Sequence, residues 1–109
     1  MPIERWSEQV IVVHLADDPQ FSDDLQALEQ ELTQRKTDAV LDFGTVNFIN
    51  SSNIAGLLQL RRQLPQHDSR MVLCNISTRV WGAFLVTGLD KVFECSDNVT
   101  TALATLQMA

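Results

Sequence analysis

Residues 47–60 read Asn-Phe-Ile-Asn-Ser-Ser-Asn-Ile-Ala-Gly-Leu-Leu-Gln-Leu, and the fold assignment depends on this stretch. It contains the end of an apolar strand, then four small polar residues at 50–53, then a helical apolar pattern that begins at Ile54. Ser and Asn are favoured at helix starts because their side-chain oxygens accept hydrogen bonds from the free N–H groups of the first turn. Those N–H groups also form a natural anion site. The adjacent hydroxyls of Ser51 and Ser52 are therefore either helix caps or a site of phosphate attachment.

The composition indicates one small domain, which we expect to span residues 1–109, with enough apolar residues (45%) to form a core without disulfides or metal. The chain has no apolar run near the roughly 20 residues that span a bilayer, and its first residues lack the features of a signal peptide. We therefore expect a cytoplasmic protein. The net charge of −6, with scattered acidic residues, argues against nucleic acid or a membrane as a partner.

The sequence contains none of the motifs of a nucleotide-binding loop, a zinc protease or a serine hydrolase. His14 lies in an apolar strand pattern and is interpreted as structural. A hydrolytic triad of His14, Asp42 and one of the serines is unsupported, because a nucleophile also needs an oxyanion hole. Cys74 and Cys95 are expected to be buried thiols, since both have apolar neighbours and lack disulfide or zinc-site spacing. These observations predict a protein that is not an enzyme and uses no cofactor, metal or small-molecule substrate.

Strand and helix patterns alternate along the chain, which is typical of βαβ units. Apolar and β-branched runs predict strands at 10–15, 39–43, 71–76 and 92–95, with a shorter one around 3–6. The sequence therefore predicts a single α/β domain with a four- or five-stranded mixed sheet and helices packed mainly on one side.

The helix patterns carry their own start and stop signals. The first helix has an apolar stripe from Phe21 to Leu32, and Ser22 or Asp23 is expected to cap it. Gly88 is expected to end a later helix in the left-handed conformation.

The helix after the serines contains one conflict, because Arg61 falls on its apolar face. One interpretation is that the Arg61 stem runs along the edge of the core and keeps its head in water. The other is that the Leu58 side of the helix is partly exposed, which would suit a docking surface for a partner.

From residue 40 onward the sequence resembles a STAS domain, in particular an anti-sigma-factor antagonist of the bacterial sporulation and general-stress type. Four blocks carry the resemblance in the order and spacing of that family: the strand and serine-bearing helix at 40–58, the strand at 72–77, the Gly-Leu turn at 88–93 and the last helix at 102–103. Asn50 and Asn53 stand where the family pattern Asp-Ser-Ser-Gly has Asp and Gly. The resemblance implies a STAS-type fold.

The resemblance also implies a function. The second serine of the family pair matches Ser52, which would be phosphorylated by an anti-sigma-factor serine kinase. The unphosphorylated protein would bind this kinase and so release a sigma factor, and the phosphorylated protein would not, which is partner switching. The alternative is a STAS scaffold or subunit, of stressosome or lipid-transport type, that binds its partner without being phosphorylated.

The predicted partner-binding surface combines the polar turn, the polar face of the helix that follows it and the loop at 17–18. We expect Ser52 to be accessible at the start of a helix that begins near Ile54, and Ser51 to cap or pack at the strand end. The residues expected in this interface around Ser52 are Asn50, Ser51, Asn53, Gln59, Arg62, Gln63, Asp17 and Asp18.

Overall fold

The computed structural model describes residues 3–108. Within this range the chain forms five strands, four α-helices and two short 3₁₀ segments. The strands are β1 (Ile3–Arg5), β2 (Val10–Ala16), β3 (Asp38–Thr45), β4 (Met71–Cys74) and β5 (Glu94–Ser96). The helices are α1 (Gln20–Gln34), α2 (Ser51–Gln63), α3 (Thr78–Thr87) and α4 (Val99–Gln107), and the 3₁₀ segments are Leu64–His67 and Leu89–Lys91.

The five described strands form one sheet in the order β1-β2-β3-β4-β5. β1 pairs antiparallel with β2, and the remaining neighbours pair parallel. Crossovers between parallel strands are right-handed in about 98% of cases. Because each crossover here advances the sheet in the same direction, α1, α2 and α3 lie on one face, and α4 covers the other. The predicted mixed sheet with helices mainly on one side is confirmed.

Alternating side chains of the central strands divide the apolar residues between the two faces. The larger core joins the sheet to α1, α2 and α3. In it, the Phe43 ring meets the Phe21 and Phe84 rings edge-on, with centroids 5.9 and 6.1 Å away. On the opposite face, valines of β2, β3 and β4 pack against Ala102 and Leu106 of α4. Both faces of β3 are thus buried, so the turn that follows this strand is connected to a well-packed part of the sheet.

Several element bounds differ from the predicted ones for local reasons. β4 ends at Cys74 rather than at residue 76, because Asn75 adopts a φ of +56° that takes the chain out of the sheet. The last strand begins at Glu94, since residues 89–91 form a 3₁₀ turn. Gly88 ends α3 with a φ of +78°, so this predicted left-handed cap is confirmed.

Two further predictions were wrong. Neither Ser22 nor Asp23 caps α1, because the helix begins earlier, at Gln20, and both residues lie within its first turn. Cys95 is exposed, since it lies in a three-residue strand at the edge of the sheet. Cys74 is buried as predicted, and this burial raises the pKa of the Cys74 thiol to about 12.

Candidate functional site

The first turn of α2 is capped by two asparagines. The Asn50 side chain accepts a hydrogen bond from the Asn53 N–H (2.8 Å), and the Asn53 side chain accepts one from the Asn50 N–H (3.1 Å). This reciprocal pair is a capping box in which asparagine takes both roles. It starts the helix at Ser51, earlier than the predicted start near Ile54. Ser51 and Ser52 are both exposed and neither is the cap, so the predicted capping or packing role of Ser51 is wrong.

The Asp18 carboxylate joins the starts of α1 and α2. Its Oδ2 accepts hydrogen bonds from the side-chain amides of Asn50 (3.0 Å) and Asn53 (2.9 Å). Its Oδ1 accepts hydrogen bonds from the backbone N–H (3.0 Å) and the hydroxyl (2.8 Å) of Ser22. The Asn50 amide contributes most, and these donors together lower the pKa of Asp18 to about 2. Asp18, Ser22, Asn50 and Asn53, here called the Asp18 cluster, therefore carry a negative charge at neutral pH.

Asp17 fastens the loop that leads from β3 to α2. Its Oδ1 accepts hydrogen bonds from the backbone N–H groups of Asn47 (2.8 Å) and Phe48 (3.2 Å), and its Oδ2 accepts one from the Asn47 side-chain amide (3.0 Å). The Asn47 side chain is the main cause that lowers the pKa of Asp17. The structure thus brings Asp17 and Asp18 together with the turn at 50–53.

Asn53 contradicts one part of the predicted surface. This residue is only 2% exposed, because its amide lies between the Asn50 N–H and the Asp18 carboxylate. A side chain so deeply buried offers no atoms to a partner. Asn53 therefore acts inside the turn, whereas Asn50 remains exposed at its surface.

Ser52 lines a groove of about 390 Å³ between α1 and α2, here called the Ser52 groove. The two helices pack closely beside it, since a Cβ at Gly56 would lie 2.9 Å from Leu25 Cδ1. Gln59 of α2 and Glu29 of α1 also line this groove. One turn beyond Gln59, the Gln63 amide donates a hydrogen bond to Glu29 Oε1 (3.2 Å). The predicted interface residues Gln59 and Gln63 therefore belong to the side of α2 that faces α1.

Arg62 lies on the other side of α2, in a second groove of about 480 Å³, here called the Arg62 groove. This groove is lined by Ala55, Leu58, Arg61, Arg62 and Val92. Ala55 also lines the Ser52 groove, so the two grooves meet at this residue. The predicted interface is thus divided over two sides of one helix.

The position of Arg61 in the apolar pattern is explained by a contact with a backbone carbonyl. The Arg61 Nε donates a hydrogen bond to the Val92 carbonyl oxygen (2.9 Å), and the side chain is otherwise exposed. Leu58, on the same side of the helix, is half-buried. Both interpretations hold in part, because Arg61 lies along the edge of the core and the Leu58 side of α2 is partly exposed.

A comparison with known families accounts for this arrangement of strand, serine turn and helix. The family model for the STAS domain matches residues 8–102. The chain belongs to the STAS domain family. This confirms the resemblance that the sequence blocks indicated.

Relatives of this STAS domain include BtrV of Bordetella bronchiseptica, which is named as an anti-sigma factor antagonist. BtrV is 28% identical over 98 residues, which cover 90% of this chain and 82% of BtrV. The structure of the anti-sigma factor antagonist SpoIIAA in its unphosphorylated form is similar with a TM-score of 0.82 at 19% identity, over 98% of this chain and 96% of that one. The phosphorylated form of SpoIIAA, a Bacillus cell fate determinant, gives 0.73 at 19% identity, over 95% and 96%. The domain thus has the fold of anti-sigma factor antagonists.

The two asparagines of the turn are both bonded to a carboxylate from another part of the chain. The family pattern has an aspartate at the position of Asn50, and this STAS domain lacks it there. Asp18, from the loop before α1, brings a carboxylate to the turn through Asn50 and Asn53. None of the helices in residues 3–108 has the length and apolar character needed to cross a bilayer.

Sequence reasoning missed Phe48 as a surface residue. It interpreted Phe48 as a strand end, but β3 stops at Thr45, and Phe48 is 63% exposed in the loop before α2. The Arg79 guanidinium carbon lies 5.2 Å from the centroid of the Phe48 ring, a cation–π contact. Aromatic and arginine side chains are over-represented among the residues that contribute most to protein interfaces. Phe48 therefore joins the candidate surface around the serine turn.

A second polar cluster lies on the sheet face that α4 covers. His14 Nδ1 lies 2.8 Å from Asp42 Oδ2, and His14 Nε2 lies 3.0 Å from Glu4 Oε1. Asp42 Oδ1 accepts hydrogen bonds from the Gly44 N–H (2.9 Å) and the Asn75 amide (3.0 Å). Glu4, His14, Asp42 and Asn75 are here called the His14 cluster. His14 and Asp42 are direct neighbours in the register of β2 and β3. The sequence signal for this cluster was one polar residue within each of two apolar strands.

The hydrogen bonds of the His14 cluster favour the charged forms of His14 and Asp42. The Glu4 hydrogen bond is the main cause that raises the pKa of His14, against a lowering by burial, and Asp42 adds to the rise. Burial alone would raise the pKa of Asp42, but hydrogen bonds from Asn75, the Gly44 N–H and His14 together lower it. The serines start a helix on the other face of the sheet, so the structure does not assemble a triad with His14. Within residues 3–108, no group of three or more His, Cys, Asp and Glu residues forms a potential metal site.

Proposed function

We propose that this STAS domain is an anti-sigma-factor antagonist that works by partner switching in the cytoplasm. Without phosphate it binds an anti-sigma-factor serine kinase, and a phosphate on Ser52 ends that binding. The observation that carries the proposal is the exposed Ser52 in the first turn of α2, where Asn50 and Asn53 do the capping. A serine that is not needed as a cap is available as a phosphate acceptor. The name of BtrV, which is similar along 90% of the chain, supports the same function.

A phosphate on Ser52 would change the interface more than the fold. It brings about −1.5 to −2 charges and three acceptor oxygens, and the N–H groups at a helix start tolerate such a group. Asp18 already places a negative charge at the same turn, so the added phosphate would bring like-charge repulsion and a desolvation cost into an interface fitted to the unmodified surface. Structures of SpoIIAA in both forms share the fold of this chain, which supports the compatibility of phosphate with the fold.

The proposed interface consists of Ser52, its exposed neighbours and the ring of Phe48. Asp17 and Asp18 contribute by holding the turn and by their charge. The other members are Asn50, Ser51, Gln59, Arg62 and Gln63.

The phosphorylation step is tested with the full chain, ATP and any anti-sigma-factor kinase that the gene neighbourhood encodes. We expect intact mass to show one added phosphate, and peptide mapping to locate it on Ser52. Ser52→Ala should abolish incorporation, and Ser51→Ala is the matched control that should retain it. A phosphate on Ser51 alone, or no incorporation by a kinase shown to be active, would refute the assignment.

The binding step is tested with variants of the same serine. Ser52→Asp should weaken kinase binding strongly because it places a carboxylate at the phosphate position, whereas Ser52→Ala should bind like the wild type. Because Asn50 is the cap, Ser52→Ala should change the free energy of unfolding by no more than about 0.5 kcal/mol, the range of surface substitutions. A loss near the ~1 kcal/mol of a missing cap would instead assign Ser52 a structural role.

A second candidate function is favoured by Asn50 and Asn53 in the places of the family Asp and Gly. In this function the domain is a STAS scaffold or subunit, of stressosome or lipid-transport type, that binds a protein partner through the same surface without phosphorylation. Binding that is equal for Ser52→Asp and wild type would favour it over partner switching. The gene neighbourhood separates the two as well, since a transporter operon fits the subunit and an adjacent kinase fits the switch.

A further inference from the structure

The Arg62 groove has a chemistry that partner switching at Ser52 does not explain. Its floor is apolar and consists of Ala55 with the half-buried side chains of Leu58 and Val92. Its rim is cationic, because Arg61 is held on the Val92 carbonyl oxygen and Arg62 is exposed beside it. A floor and rim of this kind complement an apolar side chain flanked by carboxylates.

The cationic rim contrasts with the acidic character of the whole chain, whose net charge is −6. Three other basic residues are already paired with carboxylates, in Arg5–Glu31, Lys36–Asp68 and Arg70–Glu94. Within residues 3–108, neither Arg61 nor Arg62 has a carboxylate at ion-pair distance. The neighbouring charges of Asp90 and Lys91, just before Val92, are opposite and offset each other. Among the described residues, the two arginines therefore present positive charge at the groove that no carboxylate pairs directly.

The other side of α2 has the opposite sign. Glu29 lines the Ser52 groove, and Ser22, which lines it too, is bonded to the charged Asp18 carboxylate. A partner that covers α2 therefore meets negative potential on the side of α1 and positive potential on the side of Val92. A partner with complementary charges can therefore dock on α2 in one orientation only.

We propose that the Arg62 groove binds an acidic segment of the protein partner that also carries an apolar side chain. The apolar side chain lies between Leu58 and Val92, and the carboxylates pair with Arg61 and Arg62. The inference rests on the proposed function only in taking that partner to be the anti-sigma-factor kinase. The groove itself can be tested without any kinase.

The first experiment tests the chemistry of the groove by NMR, with the ¹⁵N-labelled full chain and three synthetic peptides. One peptide repeats Glu and Leu, the second has Lys in place of Glu, and the third has Ser in place of Leu. We expect the first alone to shift the amide signals of Ala55, Leu58 and Val92, and added salt to weaken the effect. Equal shifts with the lysine peptide, or shifts confined to residues outside the groove, would refute the acidic specificity.

The second experiment measures binding of the kinase used in the phosphorylation test to Arg62→Glu. We expect the Kd to rise by roughly tenfold or more, as for an interfacial arginine, and Arg62→Lys to recover part of the loss. Arg35→Glu is the matched control: Arg35 is exposed at the end of α1, outside both grooves, and this variant should stay within about twofold of wild type. Circular dichroism of each variant is the control for correct folding.

The outcomes separate this inference from the proposed function. If Arg62→Glu binds the kinase as wild type does while Ser52 is still phosphorylated, the groove proposal fails and the switch remains. If Ser52 is not phosphorylated but the acidic peptide binds the groove, the switch fails and the groove proposal stands. One more outcome is tested by analytical sedimentation of the chain alone. If the wild type is a dimer and Arg62→Glu is a monomer, a second copy of this chain occupies the groove, and the proposal is refuted.

Discussion

The two polar clusters of this domain lie on opposite sides of the sheet and respond to different conditions. The Asp18 cluster joins the starts of α1 and α2 through one carboxylate and donors that do not titrate near neutral pH. The His14 cluster places an imidazole between two carboxylates, 2.8 Å from Asp42 and 3.0 Å from Glu4. The first keeps a constant charge beside Ser52, whereas the second changes its charge when the histidine loses a proton.

The two clusters also differ in burial, and burial decides how much each can contribute to stability. Asn53 is 2% exposed, so its hydrogen bonds are partly shielded from water and are costly to lose. The His14 side chain is 45% exposed, so its ion pairs are screened by water. We therefore expect large effects from the Asp18 cluster and small, pH-dependent effects from the His14 cluster.

The largest effect is expected for Asn53→Ala. This change removes the acceptor of the Asn50 N–H and a donor to Asp18, and both hydrogen bonds are partly buried. Leaving the Asn50 N–H without its acceptor, together with the lost donor to Asp18, should lower the free energy of unfolding by about 2 kcal/mol, measured by urea denaturation. The fold should persist, because the apolar core is untouched.

Asn98→Ala is the matched control for Asn53→Ala. Asn98 caps α4 by accepting a hydrogen bond from the Thr101 N–H (2.8 Å), and within residues 3–108 its side chain bonds to no other element. Loss of this simple cap should cost about 1 kcal/mol. If Asn53→Ala costs no more than Asn98→Ala, the Asp18 cluster is only a cap and its link between α1 and α2 adds nothing.

Asp18→Asn should remove a contribution to stability that exists only while the Asp18 carboxyl group is ionised. The pKa of Asp18 is lowered to about 2 in the folded protein from 3.8, so its favourable contribution is complete above 3.8 and is lost as the pH falls to about 2. The wild type should therefore be more stable than Asp18→Asn at neutral pH, and the difference should close over that acidic range. Urea denaturation at a series of pH values measures it.

Ser22→Ala sharpens the test of Asp18. It removes one of the donors to the Asp18 carboxylate and leaves the two asparagine amides in place. The stability difference between wild type and this variant should close over the same acidic range and be smaller than for Asp18→Asn. A difference that stays constant with pH would show that the hydroxyl does not act through the carboxylate.

The fold could be predicted from the sequence because it is determined by local periodicity. The β-branched run of β2 and the apolar stripe from Phe21 to Leu32 each report burial on one face of one element. The alternation of these elements then leaves few topologies. Exact ends were less predictable, because they depend on single conformations such as the positive φ of Asn75.

The site could be predicted only in part, because its contacts join residues far apart in the chain. The exposed Ser52 turn was identified from residue types, and its link to Asp17 and Asp18 was expected from their polar loop. The burial of Asn53 was not, since it depends on a bond to Asp18 from another element. Whether a residue of α2 faces one groove or the other likewise depends on how α2 packs against its neighbours, which periodicity alone does not determine.

The smallest effect is expected for His14→Gln. The pKa of His14 is raised above 6.5 in the folded protein, so its contribution to stability is complete below that value and is lost as the pH rises through the folded pKa. The wild type should exceed His14→Gln in stability by more at about pH 5.5 than at about pH 8.5, and by less than ~1 kcal/mol, because the ion pairs are partly exposed. Since the Glu4 hydrogen bond is the main cause of the raised pKa, Glu4→Gln should reduce this pH dependence while leaving the contact with Asp42 in place. A stability difference that is the same at both pH values would mean that the His14 cluster, like the Asp18 cluster near neutrality, holds the fold without responding to protons.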